Sequence, residues 1–130
     1  HRRMRAEKGF VTVEAQRNLA FAAEQVPEGA TVLLECLGNL SANELFAPEG
    51  EHGADEAVEK ITAGLGALFA RCQRLVVVSN DIFSGDGDYG EGTRRYCDTL
   101  ARLNRWTAAR ADEVFEVVCG IPTMLKGDGS

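Results

Sequence analysis

The stretch TVLLE at residues 31–35 decides the fold class, together with a second stretch, LVVVS, at residues 75–79. Both are short runs of β-branched and aliphatic side chains that end in a polar residue, which predicts strands buried on both faces of a sheet. Between them, residues 55–71 carry apolar side chains at the spacing of an amphipathic helix. A strand, a helix and a second strand in this order indicate a parallel βαβ unit with helices packed on the sheet.

The rest of the chain continues the alternation of strands and helices, which predicts one α/β domain with a mostly parallel sheet. We expect this domain to cover residues 1–126 and to be followed by a C-terminal tail at residues 127–130. The further predicted elements are an extended segment at 10–14, helices at 14–25 and 40–46, a loop at 48–53, a helix at 93–110, a strand at 114–119 and a break at 120–122.

The composition argues against several classes of protein. The 130 residues carry a formal net charge of −6, whereas a nucleic-acid-binding protein would normally present a basic face. No apolar run approaches the roughly 20 residues that a membrane span needs, and the N-terminus lacks the apolar stretch of a signal peptide. The four cysteines form no C-x-x-C pair, which disfavours zinc and redox motifs and indicates buried free thiols in a cytoplasmic protein.

Polar residues follow the strands at the edge of the sheet where ligands bind in open α/β folds. Right-handed crossovers bring the carboxyl ends of parallel strands to that edge, so we expect Glu35, residues 79–81 and Gly120 to meet there. Glu35 could hold the hydrated Mg²⁺ of a nucleotide, or it could cap a helix or form a structural ion pair. Asn80 and Asp81 could contact a substrate or cap the following turn.

The N-terminus combines a histidine with clustered arginines. His1 is one of two histidines, the stretch RRMR follows it at residues 2–5, and Lys8 and Arg17 lie close behind. An imidazole can attack a nucleotide α-phosphate, and neighbouring guanidinium groups can stabilise the charge that develops there. A short basic cluster in an acidic protein suits a small anionic ligand such as a nucleotide phosphate, and the alternative is a disordered, solvated end.

A phosphate-binding loop of the form G-x-x-x-x-G-K-[ST] does not occur in these 130 residues. The chain begins with a residue other than Met that leads directly into the histidine–arginine motif. We therefore expect a first strand and a phosphate loop to lie upstream of His1.

Several ordered motifs resemble those of one enzyme family, the bifunctional adenosylcobinamide kinase/adenosylcobinamide-phosphate guanylyltransferases of cobalamin biosynthesis. The resemblance extends from His1 to Lys126. Each motif is weak alone, and their order and spacing together carry the resemblance. The motifs are H-x-x-x-R at residues 1–5, F-x-T-x-E at 10–14, LLECL at 33–37 with Asn43 downstream, VVSND at 77–81, LN at 103–104, ADEV at 111–114 and VVCG at 117–120.

This resemblance implies a fold and a pair of reactions. The fold is similar to the three-layer sandwich of P-loop NTPases and RecA-like proteins, with the first strand and phosphate loop absent from this chain. The implied enzyme phosphorylates adenosylcobinamide with GTP or ATP and then transfers GMP from GTP to adenosylcobinamide phosphate through a guanylylated histidine. Mg²⁺ is the implied cofactor and a homotrimer the implied assembly, with no nucleic acid and no membrane span.

The resemblance also implies roles for particular residues. His1 is the implied catalytic histidine, Glu14 contacts the guanine nucleotide, and Glu35 binds the nucleotide and Mg²⁺, the ion through water. Asn80 and Asp81 lie at the expected substrate edge. The implied nucleotide-contacting turn comprises Arg2, Arg3, Met4 and Arg5.

The sequence departs from the family pattern at several positions. Phe10 replaces a common Trp and stands one residue further from His1 than usual, and Gly38 replaces a common Thr. The loop at residues 81–92 lacks the usual apolar G-I-V-P run. These departures indicate a divergent branch, so the alternative is a nucleotide-binding relative with a regulatory or scaffold role and no catalysis.

Overall fold

The computed structural model of the chain describes residues 17–80 and 90–127. The expectations for residues 10–14 and for the first part of the helix at 14–25 lie outside the described residues. In chain order the elements are α1 (Leu19–Ala23), β1 (Thr31–Leu34), α2 (Leu37–Leu45), β2 (Phe46–Ala47), β3 (Gly50–Glu51), α3 (Ala54–Arg71), β4 (Arg74–Val77), α4 (Glu91–Arg110), β5 (Val114–Val118) and β6 (Ile121–Lys126).

The strands β1 and β4 pair in parallel, as the two apolar stretches predict. Thr31 pairs with Arg74 and Leu34 with Val77, and the register is constant over the whole pair. The connection between them contains α3, whose first turn carries acidic side chains and whose last turn carries Arg71. Charges in this order interact favourably with the helix dipole. The prediction of parallel strands joined through an amphipathic helix is confirmed.

In the described residues, an apolar core lies between the helices and one face of this sheet. Leu34, Leu75 and Val77 pack against it from the strands. Burial of each leucine side chain contributes about 1.5–3 kcal/mol, so the core supplies the main driving force for this arrangement. The buried members of the cluster are Leu19, Ala23, Leu37, Leu40, Ile61, Leu65, Leu68, Leu100 and Leu103.

The opposite face of the sheet is open in the described part of the chain. Leu33, Val76 and Val78 are 43%, 47% and 42% exposed. Side chains alternate between the two faces of a strand, and the helices of the core cluster all pack against the face that carries Leu34 and Val77. The prediction of strands buried on both faces is therefore wrong for the described residues, since their helices cover one face only.

The third predicted strand forms a hairpin and does not join the parallel sheet. β5 pairs antiparallel with β6 through a turn in which Cys119 (φ 51°) and Gly120 (φ 78°) both have positive φ. Positive φ at both central residues is characteristic of a type I′ turn, whose twist matches that of the strands it joins. The expectation that a parallel strand brings Gly120 to the ligand edge is therefore wrong. The third strand does break near Gly120, as predicted, but Ile121 and Pro122 already belong to β6.

The hairpin carries apolar side chains that the described residues leave exposed. Its end is attached to α4 through Lys126, whose Nζ donates to the carbonyl oxygens of Ala108 (2.9 Å) and Ala109 (3.1 Å). A cation is favourable at the C-terminus of a helix, where carbonyl groups lack partners. The side chains that are about half to two-thirds exposed are Phe115, Val117, Val118, Ile121 and Leu125.

Two smaller differences concern the segment between β1 and α3. The helix α2 begins three residues before the predicted start, because Cys36 caps it. The predicted loop at residues 48–53 contains β3, which pairs antiparallel with β2 around a tight turn. Among the helices of the described residues, none has the length and apolar character that a membrane crossing requires.

Candidate functional site

The described residues include only part of the predicted site. Glu35 and Asn80 lie in them, each just beyond the end of a parallel strand. The roles expected for the N-terminal residues and for Asp81 at the substrate edge stay predictions. The predicted site residues outside the described residues are His1, Arg2, Arg3, Met4, Arg5, Glu14 and Asp81.

The carboxyl ends of β1 and β4 are joined by backbone hydrogen bonds that continue beyond the strands. The Val78 N–H donates to the Leu34 carbonyl (2.9 Å), and the Leu37 N–H donates to the Val78 carbonyl (3.0 Å). The chain therefore passes from β1 into α2 directly beside the end of β4. Glu35 lies exposed at this crossing. The prediction that strand pairing brings Glu35 and residue 80 to one edge of the sheet is confirmed.

Cys36 caps the N-terminus of α2 and contacts Asn80. Its Sγ accepts a hydrogen bond from the Asn39 N–H (3.5 Å), in the manner of the oxygen of a serine cap. The same thiol donates to Asn80 Oδ1 (3.7 Å), which links the two strand ends through side chains. The sequence predicted Cys36 only as a buried thiol, because cysteine is an uncommon cap and carries no strong capping signal.

Asn104 reaches this edge from α4. Ser79 Oγ donates to Asn104 Oδ1, and Asn104 Nδ2 donates to the main-chain carbonyl of Asn80 (3.2 Å). The sequence indicated Asn104 only as part of a family motif and gave it no role. Its place beside the buried Leu103 on an amphipathic helix is the signal that would have directed it to the sheet.

Gly38 permits close packing over the first turn of α2. A Cβ at this position would lie 2.7 Å from Asn80 Oδ1 and 2.8 Å from the Tyr96 hydroxyl oxygen. Such distances are far below van der Waals contact, so a side chain would have to displace one of these groups. Burial raises the pKa of Tyr96, with further contributions from Cys36 and Cys97, so its hydroxyl stays protonated at neutral pH.

A second cluster of charges surrounds Glu44, which is only 2% exposed. Its carboxylate accepts hydrogen bonds from the Asn18 N–H (2.9 Å) and Arg17 Nε (3.3 Å) and pairs with Lys60 Nζ (3.3 Å). Burial acts to raise the pKa of Glu44, but the bonds from Asn18, Lys60 and Arg17 outweigh it and lower the pKa. Glu44 thus fixes the start of α1, where Asn18 has a positive φ of 57°.

Glu49 extends this cluster at the surface. Arg17 donates to it through both terminal nitrogens, each at 2.7 Å, in the bidentate geometry that carboxylates favour. These bonds lower the pKa of Glu49 to about 2. The sequence reasoning grouped Arg17 with the basic N-terminus and missed Glu44, whose buried position on the apolar face of α2 was the available signal.

Comparison of the chain with known protein families identifies the family to which it belongs. A family model described as cobinamide kinase / cobinamide phosphate guanyltransferase matches residues 1–125. The chain belongs to this family. The resemblance drawn from the ordered motifs is confirmed, and the match covers the N-terminal histidine–arginine motif as well as the edge built by Glu35 and Asn80.

Curated relatives carry names of the same kind. The bifunctional adenosylcobalamin biosynthesis protein CobU of Salmonella typhimurium is 35% identical over 88% of this chain and 69% of its own length. The protein of the same name from Escherichia coli is 32% identical over 97% of this chain and 75% of its own length. The bifunctional adenosylcobalamin biosynthesis protein CobP of Pseudomonas aeruginosa is 32% identical over 85% of this chain and 63% of its own length.

The donor set at the edge fits a magnesium ion that arrives with a nucleotide. Mg²⁺ commonly binds one or two carboxylates and completes its shell with waters and substrate phosphates. Glu35 offers one exposed carboxylate there. Within residues 17–80 and 90–127, no group of three or more His, Cys, Asp or Glu side chains is arranged to hold a metal by itself. Contact between Glu35 and the ion through water stays a prediction.

Proposed function

We propose that this protein acts in cobalamin biosynthesis as a bifunctional transferase. In the first activity it phosphorylates adenosylcobinamide with GTP or ATP. In the second it transfers GMP from GTP to adenosylcobinamide phosphate through a guanylylated histidine. The family match over residues 1–125, which includes the histidine–arginine motif, is the observation that carries this proposal.

His1 is the proposed nucleophile of the guanylyl transfer. Its imidazole nitrogen attacks the α-phosphorus of GTP, a nitrogen–phosphorus bond forms, and pyrophosphate leaves with the electron pair of the broken bond. A phosphate oxygen of adenosylcobinamide phosphate then attacks the same phosphorus and displaces the histidine. The histidine is regenerated, and GMP is joined to the corrinoid through a pyrophosphate link.

The other proposed roles are mainly those that the family resemblance implies. Glu14 contacts the guanine nucleotide, Glu35 holds Mg²⁺ through water, and Asn80 with Asp81 forms the substrate edge. Bound Mg²⁺ supplies neutralisation of phosphate charge. The proposed nucleotide-contacting turn, whose guanidinium groups stabilise the equatorial oxygens during transfer, comprises Arg2, Arg3, Met4 and Arg5.

We also propose that the complete fold is a three-layer P-loop-like sandwich and that the protein is a trimer. The uncovered sheet face with Leu33, Val76 and Val78 supports a further layer, because an apolar face of this kind is normally covered in an α/β fold. The exposed apolar hairpin β5–β6 supports contact with a second chain. Free thiols at all four cysteines fit a cytoplasmic, reducing compartment.

The test of guanylyl transfer is the mass of the full-length protein after incubation with GTP and Mg²⁺. We expect an adduct of one GMP group that acid removes, because a phosphoramidate is acid-labile. His1→Ala should abolish the adduct. His52→Ala is the matched control: it changes the other histidine, which pairs with Glu49 and Glu56, and should leave the adduct intact.

Two results would contradict parts of this proposal. An undiminished adduct in His1→Ala would remove His1 from the nucleophile role. The absence of any adduct in the unmodified protein, together with tight nucleotide binding, would favour a regulatory or scaffold relative without catalysis. That second candidate is supported by Gly38, since Asn80 and Tyr96 occupy the space that a side chain common in the family would take.

A further inference from the structure

We propose that Asn104 is a positioning residue of the site, which fixes the end of β4 and thereby the place of Asn80 at the substrate edge. The proposal rests on the proposed function, in which Asn80 contacts the corrinoid substrate. Asn104 itself lies on α4 and bonds Ser79 and Asn80, the two residues that follow the end of β4. Its role would be exerted through Ser79 and Asn80.

The backbone beyond β4 leaves the strand ladder before it reaches Asn80. The ladder with β1 ends at Val77, and the two bonds of Val78 complete the pairing of the strand ends. Ser79 and Asn80 therefore lie beyond the ladder, just before residues outside the described range. Residues that lie beyond a strand ladder are more mobile than the strand itself unless side chains hold them. Asn104 supplies such a hold.

The Asn104 amide reaches the residues beyond β4 through both its oxygen and its nitrogen. Its oxygen accepts from the Ser79 hydroxyl, and its NH₂ group donates to the Asn80 carbonyl (3.2 Å). One planar amide thus bonds a side chain and a main-chain group on consecutive residues. An amide is required for this, because a carboxylate has no donor and a hydroxyl is too short to span both groups.

Asn80 also contacts the start of α2 through its side chain. Its Oδ1 accepts a hydrogen bond from the Cys36 thiol (3.7 Å). The same oxygen lies 2.7 Å from the position that a Cβ of residue 38 would take. The backbone of Asn80 is therefore held by Asn104, and its side chain is held against the first turn of α2. Release of the backbone would let the side chain leave the Cys36 thiol, which is adjacent to Glu35 in sequence.

The structural readout is the alkylation rate of Cys36 with iodoacetamide, measured by peptide mass spectrometry on the full-length protein. We expect Asn104→Ala to raise the rate at Cys36 several-fold, because Asn80 no longer covers the thiol. Cys72 and Cys97, which are also half-buried, serve as internal references and should keep their rates. Arg105→Ala, an exposed neighbour on the same helix, is the control and should leave the Cys36 rate unchanged.

The kinetic readout separates positioning from packing. Loss of a hydrogen bond changes an equilibrium or a rate by about tenfold at the stronger end of the usual range, so we expect Asn104→Ala to lower kcat/KM for adenosylcobinamide phosphate by about tenfold. GMP-adduct formation from GTP alone should change little. Asn104→Asp has nearly the same size but places a carboxylate against the Asn80 carbonyl, so it should be impaired at least as much as Asn104→Ala.

The outcomes distinguish this proposal from the proposed function. An unchanged Cys36 rate in Asn104→Ala, or an equal rise at all three half-buried cysteines, would overturn the positioning role whether or not the protein transfers GMP. Wild-type activity in Asn104→Asp would overturn it as well. A selective rise in the alkylation rate of Cys36, in a protein that forms no GMP adduct, would support the positioning role of Asn104 and contradict the proposed transferase activity. If Asn104→Ala does not fold, Ser79→Ala removes one of the two bonds and is judged by the same labelling.

Discussion

Two glycines of α3 provide a matched test of how closely α1 packs on that helix. Gly64 is buried, and a Cβ added there would lie 2.6 Å from Leu19 Cβ and 2.9 Å from the main-chain nitrogen of Ala20. Gly66, two residues further along the same helix, has no atom within 4 Å of the same added carbon. The substitutions Gly64→Ala and Gly66→Ala therefore share their effect on helix propensity and differ in the contact with α1.

The expected magnitudes follow from two opposing effects. Replacement of a helical glycine by alanine stabilises a helix by about 1 kcal/mol, and this gain applies at both positions. Overpacking costs typically 1–3 kcal/mol, and the upper part of that range applies at Gly64, because a rotamer change of Leu19 cannot move the Ala20 backbone. We expect Gly66→Ala to gain roughly 1 kcal/mol and Gly64→Ala to lose about 1–2 kcal/mol.

The measurement is thermal unfolding of both variants followed by circular dichroism. With about 4 °C in Tm for each kcal/mol in a domain of this size, the two variants should differ by roughly 8–12 °C. A urea titration at constant temperature checks that the slope m stays the same, so that the change reflects the native state. If Gly64→Ala were as stable as Gly66→Ala, the close contact between α1 and α3 would be refuted.

Two further changes test the surface cluster and the sheet edge. The folded-state pKa of Glu49 is about 2, below its ordinary 4.5, so its pair with Arg17 stabilises the fold above pH 4.5 and loses that effect as the pH falls toward 2. The difference in Tm between wild type and Glu49→Gln at low salt should therefore close over that interval. A difference that persists at pH 2 would contradict the ion pair between Glu49 and Arg17 as its cause. Gly38→Ala places a methyl group against Asn80 and Tyr96. Guanylyl transfer to the corrinoid phosphate, measured in a steady-state assay, should therefore fall by roughly tenfold as one hydrogen bond is displaced. Normal activity would show that the edge tolerates the displacement of Asn80 or Tyr96.

The sequence predicted the elements whose signal is periodic and local. The apolar runs of β1 and β4 and the helical spacing of α3 and α4 specify both element type and approximate bounds. The parallel pairing follows from their order along the chain, and it places Glu35 and Asn80 at one edge. These predictions needed no knowledge of distant contacts.

The hairpin shows where such reasoning failed. Val114 to Val118 has the composition of a central strand, and composition alone does not state which strand is its neighbour. The type I′ turn depends on a positive φ at Cys119, a residue with no strong preference for that conformation. Gly120 was interpreted as the end of a parallel strand, because glycine marks both breaks and turns.

Site residues escaped prediction when their role depends on distant partners. Asn104 bonds residues 24 and 25 positions away, and Glu44 bonds a main-chain group 26 positions away. Cys36 acts as a helix cap, for which oxygen-bearing side chains are the usual signal. In each case the side chain type is compatible with many surface positions, so only the packing of α2 and α4 against the sheet determines its function.

The ion pairs around Glu44 disfavour Arg17 as a residue that binds nucleotide phosphates. Arg17 follows the basic N-terminal stretch in sequence, yet its guanidinium bonds Glu44 and Glu49 at the start of α1. A guanidinium held by two carboxylates has little attraction left for a triphosphate, since moving it would leave the buried Glu44 with fewer partners. Among the basic residues near the N-terminus, we therefore expect the arginines at residues 2–5, and not Arg17, to contact the nucleotide phosphates. The proposed guanylyl transfer then relies on His1 as nucleophile and on the arginines that directly follow it for charge stabilisation, while Arg17 and Glu44 anchor the start of α1.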